Sequence, residues 1–238
     1  MIMLRQAPAY INAIMWRGRY LRRLGLVLVG AWFAASLAGC ESSSANDRGN
    51  DSSSAGEPAD NDTDSNVLVA LGDSVTTGEE ITGPSYPQIL AGLLGKTVVN
   101  EGTGGALSSD GVSKINSVLT RYNPSQALIL YGINDVIHVG NEDWTIGNLQ
   151  TMVRACKEYG TQPVLGTIPP RYRGDGVWDP RHTSLDQRIR QLARSEGIPL
   201  SDVEAEFGFN EALMLPDGYH PNDDGTRIIA FTFYDAVQ

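Results

Sequence analysis

Cysteine, histidine and long apolar runs are all scarce in this chain, and each scarcity excludes something. The 238 residues hold two cysteines, Cys40 and Cys156, and three histidines, His138, His182 and His220. So few cysteines exclude a disulfide framework. Three histidines leave a short roster of imidazole bases. The extended apolar run Leu24 to Gly39 has 16 residues, short of the roughly 20 that span a bilayer. Basic charge is thin beyond residue 40. Residues 1–40 carry Arg5, Arg17, Arg19, Arg22 and Arg23 and no acid, so +5, while the whole chain is −10, which leaves −15 on the remainder. So acidic a body argues against nucleic acid as a partner, and against an anionic lipid surface held through a basic patch. No internal repeat is visible.

What is present begins with a targeting pattern. Arg17, Arg19, Arg22 and Arg23 precede the apolar run, which ends Leu37-Ala38-Gly39-Cys40. A basic flank, a short apolar run and small residues before a boundary are the parts of a secretory signal. The ending resembles the bacterial lipobox, in which the Cys is lipidated and becomes the mature first residue. Residues 1–40 are therefore expected to be a lipoprotein signal peptide, with Cys40 as lipidation site and the cell envelope, on its periplasmic side, as location. The membrane would be a partner through that anchor. Residues 41–66 are Ser, Asn, Asp and Gly with almost nothing apolar, a composition too polar to offset ordering entropy, so a disordered linker is expected. Within it, Asp60 to Asp64 alternates acids as a calcium loop does. Ser65 stands where that loop needs Gly, and Leu71 where it needs a bidentate Glu, so no calcium site is read. Once Cys40 is lipidated, Cys156 has no partner thiol and reads as a small buried hydrophobe.

Residues 67–238 read as one folded domain. Val67 to Leu71 is a continuous apolar run closed by Gly72-Asp73-Ser74, the mark of a fully buried strand followed by a turn. Helical spacing follows over Tyr86–Leu94. Further strands are expected over Lys96–Asn100, Ala127–Ile133, Pro163–Ile168 and Ile198–Val203. Further helices are expected over Val112–Tyr122, Trp144–Tyr159, Leu185–Ser195 and Pro221–Val237, the last with Pro in its first turn. Five apolar strands alternating with helices predict an α/β fold, a flavodoxin-like three-layer α/β/α sandwich on a five-stranded parallel sheet, with 2-1-3-4-5 taken by analogy as the strand order.

The polar residues then fall into place. Behind strand one stands Gly72-Asp73-Ser74. Strand two leads into Asn100-Glu101-Gly102-Thr103-Gly104-Gly105, and strand three into Gly132-Ile133-Asn134-Asp135. Before the last helix stands Asp217-Gly218-Tyr219-His220. In a parallel sheet all four reach one edge. They supply what acyl transfer needs. Ser74 is a hydroxyl nucleophile, which requires a base. His220 is that base, and Asp217 would orient it. The Ser74 and Gly105 N–H groups and the Asn134 amide are donors for an oxyanion. Asp73 and Asp135 read as loop organisers that accept backbone hydrogen bonds. His138 reads as a solvated loop residue, and His182 as part of an exposed insertion, Arg171–Thr183.

These four segments resemble, in order and spacing, the four blocks of the SGNH (GDSL) hydrolases. The resemblance spans about Val67 to Gln238. It implies a serine esterase acting on short-chain, acetyl-carbohydrate or lysophospholipid-type esters, with no metal or cofactor. It gives Gly105 the second oxyanion N–H, with Gly104 as the neighbouring alternative. Two other readings compete. Ser74-Val75-Thr76-Thr77-Gly78 resembles the phosphate loop of flavodoxins, which would bind FMN. A non-catalytic glycan- or ligand-binding lipoprotein on the same fold is the other.

Overall fold

The structure, a computed structural model, describes residues 63–173 and 177–238. The expected signal peptide, Cys40 and nearly all of the linker lie outside the described residues. Five strands form one sheet: β1 (Asp64–Gly72), β2 (Thr97–Gly102), β3 (Pro124–Leu130), β4 (Gln162–Gly166) and β5 (Leu200–Ser201). Their order is β2-β1-β3-β4-β5 and every neighbouring pair is parallel. The described helices are α1 (Ser74–Thr77), α2 (Tyr86–Leu94), α3 (Ser108–Tyr122), α4 (Glu142–Tyr159), α5 (Pro180–Glu196), α6 (Val203–Phe207) and α7 (Asp223–Ala236). Helices α3, α4 and α5 pack side by side, while α2 packs on α7, so helices flank the sheet in two layers. The three-layer α/β/α architecture and the 2-1-3-4-5 order are those expected.

The strands are apolar without alternation because both sheet faces are covered. Leu68 to Leu71 in β1 and Ala127 to Ile129 in β3 are fully buried, and each larger side chain contributes about 1.5–3 kcal/mol by leaving water. Cys156 lies in this core and burial pushes its thiol up to about 12, as suits a small hydrophobe.

Several boundaries differ from expectation, each for a local reason. β1 starts at Asp64, inside the expected linker, with a register irregularity between Asp64 and Leu68. β3 ends at Leu130 rather than Ile133, because Gly132 takes φ 137° and turns the chain out of the sheet. Helix α5 starts at Pro180, not Leu185. Asp179 caps it by accepting from the Arg181 N–H at 3.1 Å, with Pro at the first helical position. That correction carries His182 with it. His182 is not on an exposed insertion but in the first turn of α5, 1 % exposed. Pro221 lies before α7 rather than in its first turn. Asn222 is the cap, accepting from the N–H groups of Asp224 and Gly225.

Candidate active site

The position expected of the nucleophile, Ser74, is built by the end of β1. Gly72 closes the strand where α1 folds back onto it. A Cβ at Gly72 would stand 2.0 Å from Thr76 Oγ1 and 2.6 Å from the Leu130 carbonyl oxygen. Only glycine allows that approach. Asp73 caps α1 by accepting from the Val75 N–H at 3.0 Å, so Ser74 becomes the first residue of the helix. Asp73 is buried, and burial pushes its carboxyl up to about 7. The loop-organising part expected of Asp73 is the one it plays.

The hydroxyls that resembled a phosphate loop are committed elsewhere. Thr76 is buried against Tyr86, with their oxygens 3.4 Å apart, and Thr77 Oγ1 donates to the Ser74 carbonyl. The FMN reading loses its donors to the protein's own structure.

His220 sits on a short loop that folds on itself. The Gly218 N–H donates to the Leu215 carbonyl at 3.0 Å, and the Leu215 N–H to the His220 carbonyl at 2.8 Å. Asp217 Oδ1 accepts from the N–H groups of both Tyr219 and His220, each at 3.0 Å. The three-residue spacing thus makes one tight turn that presents carboxylate and imidazole together. Asp217 Oδ2 lies 2.6 Å from His220 Nδ1, and His220 Nε2 lies 2.9 Å from Ser74 Oγ. Partial burial works against ionisation of Asp217. The donors from His220 and Tyr219, with the imidazole itself, outweigh it and hold the carboxyl below its ordinary range. A carboxylate on Nδ1 fixes the proton there and leaves the Nε2 lone pair facing the serine hydroxyl.

The expected oxyanion donors gather on the same edge. Thr103 donates its N–H to the Gly72 carbonyl, and Ala106 its own to the Thr103 carbonyl, closing a turn in which Gly105 has φ 73°. The space where a Cβ of Gly105 would point is open, whereas one on Gly104 would meet the Glu79 carboxylate at 3.1 Å. Asn134 Nδ2 donates to the Ala106 carbonyl at 3.1 Å. Behind it the buried Asp135 accepts from the Ser108 N–H and hydroxyl and from Thr145. The start of α3 and the Asn134 segment are thereby locked to each other.

Two histidines stay out of this site. His138 is exposed, as expected, but it stands in a helical segment, Asp135–Val139, rather than in a loop. His182 is buried with neither ring nitrogen hydrogen-bonded, and burial lowers its pKa to about 4. Sequence reasoning missed Asp179, which pairs with Arg171 and Arg181 and supports the segment beside the His220 loop. The Asp-Pro pair was the signal that pointed to it. Among the described residues no group of three or more His, Cys, Asp or Glu is placed to hold a metal ion.

The family model described as GDSL-like lipase/acylhydrolase matches residues 70–228. The uncharacterized lipoprotein YqeF of Bacillus subtilis is 24 % identical, over 72 % of this chain and 87 % of that protein. Thioesterase 1/protease 1/lysophospholipase L1 of Escherichia coli is 27 % identical, over 69 % of this chain and 79 % of the relative. In fold, the chain is similar to an acetylxylan esterase from Geobacillus stearothermophilus. The TM-score is 0.61 at 22 % identity, covering 74 % of this chain and 95 % of that one. With the matched stretch running from inside β1 into α7, this chain belongs to the GDSL-like lipase/acylhydrolase family of ester-hydrolysing enzymes.

Proposed function

We propose that the protein hydrolyses carboxylic acyl esters through Ser74, His220 and Asp217. The observation that carries this is the continuous path from Asp217 Oδ2 through both His220 nitrogens to Ser74 Oγ, with steps of 2.6 and 2.9 Å. His220 Nε2 takes the Ser74 proton as Oγ attacks the acyl carbon. Asp217 holds the tautomer and stabilises the imidazolium. The tetrahedral oxyanion is met by the Ser74 and Gly105 N–H groups and by Asn134 Nδ2. His220 then gives its proton to the leaving alcohol, water attacks the acyl-serine, and the cycle closes. Gly105 is the donor that the family resemblance gives, with Gly104 as the neighbouring alternative.

The substrate class follows from the surroundings. An open cleft of about 440 Å³ borders the His220 loop, and Glu80, Thr82, Asn222, Asp223, Asp224 and Arg227 make most of its wall. Such a polar cleft lies on the side of the base that protonates the leaving group and suits a hydrophilic alcohol. The short linkers between the four segments leave little room for a lid over a long acyl chain, so short-chain and acetyl-carbohydrate esters are favoured over lysophospholipids, although a relative carries the lysophospholipase name. A non-catalytic binding role would leave the aligned Ser74, His220 and Asp217 without a purpose. The test is hydrolysis of p-nitrophenyl acetate, butyrate and octanoate by the wild type beside Ser74→Ala. Loss of roughly 10⁴-fold or more in kcat is expected for the variant, with rates falling as the acyl chain lengthens. Equal rates for the two proteins end the serine-esterase reading.

The same proposal includes anchoring at Cys40, supported by the lipobox-like sequence and by the lipoprotein name of one relative. Cells fed radiolabelled palmitate should label the wild type and not Cys40→Ser. Equal labelling would refute it.

A further inference from the structure

Beside the His220 loop stands a short hairpin that the mechanism above does not use. Tyr172 and Trp178 pair as an antiparallel bridge, and the Arg173 N–H donates to the Val177 carbonyl at 2.7 Å. The hairpin is fastened to the catalytic loop, where the Tyr172 N–H donates to the Gly218 carbonyl at 2.6 Å. A Cβ on Gly218 would lie 1.9 Å from the Tyr172 carbonyl oxygen, and Gly218 has φ 78°. Glycine is required there twice over, for close approach and for the left-handed backbone.

From this hairpin a row of rings runs outward. The Tyr172 and Trp178 rings are 5.1 Å apart, and Trp178 meets Phe209 edge-on at 5.4 Å. Phe209 is 44 % exposed and Val177 51 % exposed. Phe209 holds φ 55°, a conformation that a bulky residue adopts only where surrounding structure imposes it. A strained backbone that turns an aromatic ring into water has no benefit for the core. On the inner side, the Tyr219 ring lies 4.6 Å from the His220 imidazole, with the Arg171 guanidinium over the Tyr219 ring at 6.0 Å from its centroid.

Position decides what such a row meets. In ester hydrolysis the leaving oxygen must come within reach of His220 Nε2, the group that protonates it. The alcohol part of the substrate therefore lies on the His220 side, and the carbonyl oxygen toward the Gly105 and Asn134 donors. The row is joined to the His220 loop through the Tyr172–Gly218 hydrogen bond, which puts it on the alcohol's side. Chemistry decides which alcohol. Tyr172 and Trp178 are half-buried while Phe209 and Val177 stand exposed, so a fatty chain laid along the row would stay half wet. Arg171 and the exposed Arg173 beside it disfavour a cationic head group. A sugar ring has apolar C–H faces that stack on aromatics and a rim of hydroxyls that suits charged neighbours.

Resting on the acylhydrolase reading, we propose that Phe209, Trp178 and Tyr172 form a stacking platform for the sugar that leaves from a carbohydrate ester.

The test compares two esters on the full chain: an O-acetylated xylo-oligosaccharide and 2,2,2-trifluoroethyl acetate, whose leaving group has no ring. Phe209→Ala is the first variant because its ring is exposed and its removal spares the core. It should raise KM for the oligosaccharide about three- to tenfold, leave kcat within twofold, and leave trifluoroethyl acetate kinetics unchanged. Trp178→Phe, which keeps a ring in the hairpin, should raise the same KM by less. Equal effects on both esters, or none on the oligosaccharide, would overturn the platform. So would a wild type that cleaves trifluoroethyl acetate but not the acetylated sugar. A wild type inert on both would bring down the acylhydrolase reading itself.

Discussion

Asn134 has two N–H bonds on one nitrogen, and its bond to the Ala106 carbonyl uses one of them. In the proposed reaction the other is left for the oxyanion. Asn134→Ala should therefore lower kcat about 10²- to 10³-fold while KM for p-nitrophenyl acetate moves little, because that donor acts when charge develops. Steady-state kinetics beside a melting curve would separate this from loss of the Ala106 tether. A kcat within threefold of wild type would remove Asn134 from the reaction. Residues of this kind were legible in the sequence because their spacing is itself the geometry. Asp217 and His220 are three apart, and the turn between them needs no distant partner to form. His182 was illegible for the converse reason. Its burial is decided by how α5 packs, and an Arg-rich neighbourhood suggested solvent. The arginines that misled, Arg171 and Arg181, are instead partnered with buried Asp179. Their interaction holds that carboxyl far below its ordinary range, with the Arg181 hydrogen bond the main cause.

Apolar periodicity identified the elements, and side-chain caps set their ends. Helix α2 begins and ends where its pattern does, at Tyr86 and Leu94, with the Ser85 N–H bonded to the Gln88 side chain at its start. Helix α3 begins at Ser108, four residues before the apolar pattern becomes visible at Val112. Its first turn is held by polar groups instead. The Leu107 N–H donates to Asp110, and the Ser108 N–H to Asp135, 27 residues along the chain. No local window shows the second of these. β5 is the opposite case. Ile198–Val203 looks like a full strand, yet Leu200–Ser201 alone pair with β4. The chain leaves the sheet at Asp202, whose carboxylate caps α6 and accepts a 2.6 Å bond from Arg190. Polar side chains that reach across elements thus determine where an edge strand stops, and apolar content says little about it.

At the scale of the molecule, a parallel sheet gathers four distant segments at one edge, so the site was legible as soon as the alternation of strands and helices was. The same sheet creates a pH dependence that the sequence does not show, because it buries carboxyls. Asp73 is pushed by burial to about 7, with nearby Asp135 adding to the effect. Asp186 is raised well above its ordinary value, first by burial and then by nearby Glu204. One Asp186 oxygen accepts from the Ile168 N–H at 2.8 Å, and the other has no hydrogen-bond partner. Both carboxyls keep protons in the folded state that the unfolded chain releases near pH 4. The folded form then binds more protons across that window, so stability falls as pH rises from about 4 to about 7. The full chain's net charge of −10 at pH 7 pushes the same way, since self-repulsion grows away from the isoelectric point near 4.7. Asp179, Asp202 and Asp217 oppose this, because their lowered pKa values give stability above the ordinary carboxylate range that is lost on acidification. Their loss is felt below about pH 4, under the window of the buried pair. Buried His182, its pKa lowered from 6.5 to about 4, also opposes the decline, because its stability is lost on acidification through that range, and it offsets one of the two carboxyls there. The melting temperature of the full chain should therefore peak on the acid side of neutrality, between about pH 4 and 6. Asp186→Asn keeps an acceptor for Ile168 and needs no proton. It should raise the melting temperature at pH 8 by about 2–4 °C, on the order of 1 kcal/mol, and flatten the decline above pH 5. Thermal unfolding from pH 4 to 9 on both proteins tests this. A wild-type curve that rises from pH 5 to 8, or a variant that melts lower at pH 8, would show that the Asp186 carboxyl is ionised and compensated in the folded protein.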